Sequence, residues 1–121
     1  MITELDANRM KRNKTKKRRC YNSGPITGLT YLTALKNFSL ADDRIERCLG
    51  MTPVNPMEVT WGLKPSSPWL MHMIKDTLLL LTCQAVYFQN GWIRSRGARW
   101  EYKVACWLGK EMAFESQISD L

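Results

Sequence analysis

Metal-binding side chains are scarce in this sequence. It has one histidine, His72, and four cysteines, Cys20, Cys48, Cys83 and Cys106, with no C-x-x-C pair among them. That inventory argues against a zinc site of the usual kind, and neither a metal nor a cofactor is expected. Thiols scattered in this way read as buried, reduced cysteines of a cytosolic protein. Long apolar runs are missing too: LLLLTC at 78–83 is far too short to span a bilayer. The N-terminus is polar and then basic, without the apolar stretch of a secretory signal. The expectation is a soluble, cytoplasmic protein with no membrane partner.

Acidic residues are also in short supply, 11 against 18 Lys and Arg, for a formal charge of +7. The imbalance is local. Eight of the basic residues lie between Arg9 and Arg19, and two of the acids, Glu4 and Asp6, precede them, so the chain from Cys20 onward carries a net charge of about +1. Residues 1–18 therefore read as a flexible basic arm. Such an arm holds nucleic acid by counterion release, but no aromatic residues interleave its charges to stack on bases. A solvated extension is the favoured reading of the arm, and nucleic acid the less favoured one.

What remains suits a packed globule. Hydrophobic residues make up 45% of the 121 and aromatics 10%, enough for one core and one domain. The chain reads as alternating strands and helices. RCYNS at 19–23 is a poor strand on its own, with Asn22 and Ser23 weak β formers. It leads into Gly24-Pro25-Ile26-Thr27-Gly28, where backbone amides can approach a ligand closely. Residues 30–48 have helical period, with Leu35, Phe38, Ala41, Ile45 and Leu49 inward and Asp42 among the outward residues. Met51 to Val54 is a second strand stopped by Asn55-Pro56, either a plain turn or a loop bordering a site.

A loop over 57–68 precedes a helix at 69–81, with Met73, Ile74, Thr77, Leu78 and Leu81 as its apolar side. Asp76 there, flanked by Lys75, has the local pattern of a solvated face residue. Ala85–Phe88 is apolar throughout, as a central parallel strand should be. The stretch from Asn90 to Lys110 starts as a loop with Gly91 and Gly97. It continues as an amphipathic helix burying Trp100, Val104, Trp107 and Leu108 and ends at Gly109. Glu101 is placed in its first turn, where a carboxylate suits the helix dipole. The same position also fits a nucleophile or base at the mouth of an α/β sheet. Glu111–Phe114 is a last strand. The alternation predicts an α/β fold with a parallel sheet covered by helices. The organisation expected is arm 1–18, domain 19–116 and tail 117–121.

Three motifs, taken in order, carry a resemblance. They are Y-x-x-G-x-I-x-G at Tyr21–Gly28, a D-x7-Q-A-V strand entry at Asp76–Val86, and S-x-G-x-x-x-E at Ser95–Glu101 followed by A-x-x-x-G-K at Ala105–Lys110. Together they resemble the nucleoside 2-deoxyribosyltransferase superfamily, and within it the small 2'-deoxynucleoside 5'-monophosphate N-glycosidases. Closer still is a branch of small phage and bacterial domains with S-G-P-I-T-G, V-N-P and G-W-x-x-S-R-G-A-R-x-E-Y.

The resemblance covers about Arg19 to Glu115. It implies a flavodoxin-like three-layer sandwich with four to five parallel strands, and an enzyme acting on deoxynucleosides or their 5'-monophosphates. Glu101 matches the catalytic glutamate, Asp76 the assisting aspartate and Tyr21 a tyrosine near nucleophile and sugar. Ser95 and Gly97 match the loop that receives a 5'-hydroxyl or 5'-phosphate, and Gly24 and Ile26 the turn lining the pocket. Asn55 borders the same pocket.

The chemistry suits those residues. Breaking an N-glycosidic bond builds oxocarbenium character that a carboxylate can stabilise or trap, and a second carboxyl can protonate the departing base. Arg96, with Arg94 and Arg99, either neutralises a phosphate or forms a solvated basic rim. The alternatives to an enzyme are a nucleotide-binding sensor of the same fold and a nucleic-acid-associated protein acting through the arm. Trp92, Trp100 and Trp107 offer more aromatic surface than so small a core absorbs, which points to a homo-oligomer such as a dimer.

Overall fold

A computed structural model describes residues 18–118 of the chain. The basic arm, except Arg18, and residues 119–121 of the tail lie outside them. Four strands alternate with three helices: β1 (Arg19–Ser23), α1 (Tyr31–Arg44), β2 (Thr52–Val54), α2 (Trp69–Leu81), β3 (Ala85–Phe88), α3 (Arg96–Trp107) and β4 (Glu111–Phe114). The strands form one parallel sheet in the order β2-β1-β3-β4, the flavodoxin-like arrangement expected. Tyr21 pairs with Val54 on one side and Val86 on the other. Strand order reverses between β1 and β3, and the carboxyl ends there are where open α/β sheets take ligands.

Alternation along β1 divides the core. Tyr21 faces a cluster with Leu80, Val86, Phe88, Val104 and Ala105, under α2 and α3. Cys20 faces the other side with Ala41, Ile45 and Tyr87, under α1. Three layers result. β1 is central although its sequence is polar, because its polar groups are satisfied. Asn22 is fully buried and donates to Phe38 O (2.9 Å) and Asp42 Oδ1 (2.8 Å), while Gln89 Nε2 donates to Asn22 Oδ1 (2.7 Å). A buried amide so partnered costs little.

Several faces differ from the sequence reading. Thr30 caps α1, and the helix buries Ala34, Phe38 and Ala41. Leu35 is half-buried, and Asp42 turns inward to hold Asn22 and Asn55. A π-helical turn at Ile45–Leu49, closed by left-handed Gly50, ends that segment. In α2 the buried residues are Met73, Lys75, Asp76, Leu79 and Leu80, whereas Ile74, Leu78 and Leu81 are exposed. The helix presents its charged pair to the sheet's end and its aliphatic stripe outward.

In α3, Ser95 is the cap and its Oγ accepts from Ala98 N. The helix thus begins at Arg96, and Glu101 stands in its second turn, not its first. Of the apolar face expected for α3, Val104 is buried but Trp100, Trp107 and Leu108 are exposed. Gly109 follows the helix with φ 65°, as a C-terminal glycine should. Trp92 is absorbed by an aromatic cluster with Phe88, Tyr102 and Phe114. No helix among the described residues is long and apolar enough to cross a membrane.

Candidate active site

A cavity of about 290 Å³ is walled by the segments that follow β1 and β2, by α2 and by the start of α3, close to the lower bound of small-molecule sites. Glu101, from α3, reaches it while only 5% exposed. Both of its carboxylate oxygens are held by β1: Tyr21 Oη donates to Oε2, and Ser23 Oγ donates to Oε1 at 2.9 Å. Tyr21 and Ser23 are two apart on one strand, so they share a face. The strand presents two hydroxyls and the helix one carboxyl.

Asp76 enters from α2 beside the same tyrosine. Its neighbour Lys75 is buried too, with Nζ 3.1 Å from Asp76 Oδ1 and donating to Pro56 O at 2.6 Å. The local pattern gives Asp76 as a solvated face residue, and the structure instead turns it inward together with Lys75.

Electrostatics follow from burial. Desolvation, and secondarily the charge of Asp76, raise the Glu101 pKa from 4.5 to about 8. Hydrogen bonds from Tyr21 and Ser23, and the Lys75 charge, pull the other way. Burial also raises Asp76, against the opposing charge of Lys75. Tyr21 lies well above its ordinary range, mainly through burial and then through the two carboxylates. Two acids with raised pKa around one hydroxyl is the kind of constellation that concentrates at functional sites.

The remaining walls come from the loops. Gly24, Ile26, Ser95 and Gly97 all line the cavity. A Cβ at Gly24 would lie 2.4 Å from the Gln89 carboxamide carbon, and one at Gly97 would lie 3.1 Å from Met73 Sδ, so both glycines let elements close up. Ser95 caps α3 and Gly97 lies in its first turn, where the helix N-terminus favours an anion. His72 also faces the cavity and pins the 57–68 loop through Nε2 and Lys64 O (3.0 Å).

Two of the expected residues stand elsewhere. Asn55 is buried behind the wall, donating to Asp42 Oδ2 (2.9 Å) and accepting from Met57 N (2.9 Å), so it shapes the loop. Arg96 lies over the Trp69 ring at 4.0 Å, and Arg99 donates to Ile93 O. None of Arg94, Arg96 and Arg99 lines the cavity. Ser23, Lys75 and His72 were missed by sequence reasoning. Only Ser23 had a usable signal, its two-residue spacing from Tyr21. No cluster of potential metal ligands occurs among the described residues.

Solved structures that share this fold include two deoxyribosyltransferases. One is a 2-deoxyribosyltransferase from Bacillus psychrosaccharolyticus, with TM-score 0.57 and 17% identity over 84% of this chain and 77% of that one. The other is a 2-desoxiribosyltransferase from Leishmania mexicana, with TM-score 0.54 and 19% identity over 80% of this chain and 63% of that one. The chain thus spans under two thirds of the Leishmania protein. No curated protein matches the sequence. A family model described as a domain of unknown function, DUF4406, matches residues 18–114, and the chain belongs to that family.

Proposed function

We propose that the chain cleaves the N-glycosidic bond of a deoxynucleoside or its 5'-monophosphate, with water or a second base receiving the deoxyribosyl group. One observation carries this reading: Glu101 reaches the cavity with both oxygens fixed by β1 hydroxyls and a second carboxyl, Asp76, close by. Glu101 attacks the anomeric carbon, the carbon–nitrogen bond breaks, and its electron pair leaves with the base. Asp76 either protonates that base or orients the substrate. Water then cleaves the glycosyl ester, giving free sugar and Glu101 again, or a second base does so, giving transfer. The first turn of α3 at Ser95–Gly97 takes the 5' end.

The raised pKa of Glu101 favours a second reading. A carboxyl protonated at neutral pH is a weak nucleophile, which suits a nucleotide-binding sensor. Chromatographic detection of free base, with each of the four deoxynucleoside 5'-monophosphates and with Glu101→Ala as control, separates the two. Release by wild type alone supports the glycosidic reading. Saturable binding without release supports the sensor.

The reading includes a homodimer. Leu70, Ile74, Leu78 and Leu81 of α2 and Trp100 and Trp107 of α3 are each between 40% and 71% exposed. Together they form an exposed apolar face of the kind that marks an association surface. The groove between these helices shares Trp69 and Met73 with the cavity, so a second copy there reaches the rim of the site.

A further inference from the structure

Lys75 and Asp76 stand side by side on one wall of the cavity, 5% and 7% exposed. An ammonium carries three N–H donors. One from Lys75 goes to Pro56 O at 2.6 Å, and a second is drawn toward Asp76 Oδ1, 3.1 Å away. No further acceptor among the described residues meets the third. Asp76 beside it is also incompletely met: its Oδ1 is buried and, although the lysine stands 3.1 Å away, accepts no hydrogen bond of good geometry. A buried ion pair with a donor and an acceptor unmet is unfavourable. In a cavity wall, a ligand that meets both removes that penalty.

We propose that Lys75 and Asp76 together read a lactam edge, a ring carbonyl beside a ring N–H, on the base of the bound nucleotide. The inference rests on the deoxynucleotide reading above and names its substrate class. Lys75 donates to the carbonyl, and the Asp76 carboxylate accepts from the N–H. Hypoxanthine, guanine, uracil and thymine present that edge. Adenine and cytosine present the reverse, an amino donor beside a bare ring nitrogen. They would set donor against donor at Lys75 and lone pair against lone pair at Asp76, so rejection is built into the same two residues. Asp76 then acts as the orienting group, in its carboxylate form.

The test uses the full chain and two matched pairs, 2'-deoxyinosine against 2'-deoxyadenosine 5'-monophosphate, and 2'-deoxyuridine against 2'-deoxycytidine 5'-monophosphate. Calorimetry gives Kd, and base release gives kcat/KM. The lactam member of each pair should be favoured by at least about tenfold in Kd. Lys75→Met should shrink that ratio below about threefold, and Lys75→Arg should restore part of it. A general packing defect weakens both members alike, so the ratio reports recognition. If Lys75→Met does not fold, the wild-type ratios decide alone.

Equal affinity within each pair, or a preference unchanged in Lys75→Met, overturns the assignment. Base release without lactam preference overturns it while leaving the glycosidic reading intact. Lactam-selective binding without release supports it and removes the enzyme. Binding of none of the four nucleotides removes both.

Discussion

Ser23 Oγ donates to Glu101 Oε1 over 2.9 Å, joining residues 78 positions apart in the chain. The serine is the last residue of β1 and the glutamate lies mid-way along α3, so the bond ties the two elements that frame the cavity. It also stabilises the charged form of Glu101 against the burial that raises its pKa.

A nucleophilic Glu101 must be ionised, so kcat/KM of the proposed reaction should climb as pH rises through about 8 and level off above it. Ser23→Ala removes a hydrogen bond that lowers the pKa, so this limb should move to higher pH. At pH 7 the loss in kcat/KM should be roughly tenfold, narrowing toward the plateau. pH profiles of both proteins check this. An unmoved limb in Ser23→Ala would mean that the serine does not govern the ionisation of Glu101.

That pair shows what was legible in the sequence and what was not. Strand and helix succession, sheet type and the glycine turns could be read locally, because each depends on nearby periodicity and turn chemistry. Glu101, Asp76 and Tyr21 follow from motif resemblance, and the structure brings them together, with Glu101 and Asp76 lining the cavity and Tyr21 fully buried behind them. The solvated-face pattern of Asp76 fails because helical period predicts which face is apolar, not which face is buried. In α2 the apolar stripe of Ile74, Leu78 and Leu81 points out, and the charged pair points in. Arg96 was placed by proximity to Ser95, but successive helix residues point about 100° apart, and its side chain lies over Trp69. Asn22 looked unfit for a strand because its partners Gln89 and Asp42 are distant in sequence.

The same pKa predicts a stability effect. The folded value of about 8 lies above the ordinary 4.5. Between these the unfolded chain gives up a proton that the folded chain keeps. Stability from this group is therefore intact below about pH 4.5, falls as pH rises toward 8, and the loss is complete above that. Glu101→Gln has no such titration. At pH 9 it should be more stable than wild type by a few kcal/mol, with a melting midpoint at least ~5 °C higher. Near pH 4 the two should match. Thermal melts at both pH values decide it, and an equal gain at both would remove the burial penalty as the cause.

Gly24 abuts the Gln89 side chain so closely that an added Cβ would lie 2.4 Å from its carboxamide carbon. Gln89 is itself buried and donates to Asn22, which anchors β1 to α1. Gly24→Ala must push the amide aside and unseat that chain of hydrogen bonds. The expected cost is about 1–3 kcal/mol, read as a lower denaturant midpoint with an unchanged slope. Gly28 offers the contrast. It has φ 89° but open space around it, so Gly28→Ala should be penalised through backbone strain alone and leave the Gln89 network in place.

The exposed stripe on α2 and α3 leads to a prediction about assembly. Trp100 and Trp107 pack edge to face at 5.8 Å, and Trp100 Nε1 donates to Thr77, so the patch has fixed shape before any partner arrives. A rigid apolar surface loses little entropy on docking, which favours association. Light scattering coupled to size exclusion should give a dimer for wild type. Ile74→Glu combined with Leu78→Glu should give a monomer that still folds, since both side chains are about half-exposed and contribute little to the core. Because the patch adjoins the cavity through Trp69 and Met73, the monomer should also bind nucleotide more weakly than the dimer. A wild-type chain that stays monomeric at ~100 μM, with its nucleotide Kd unaffected by the double substitution, would leave the stripe without a role in self-association.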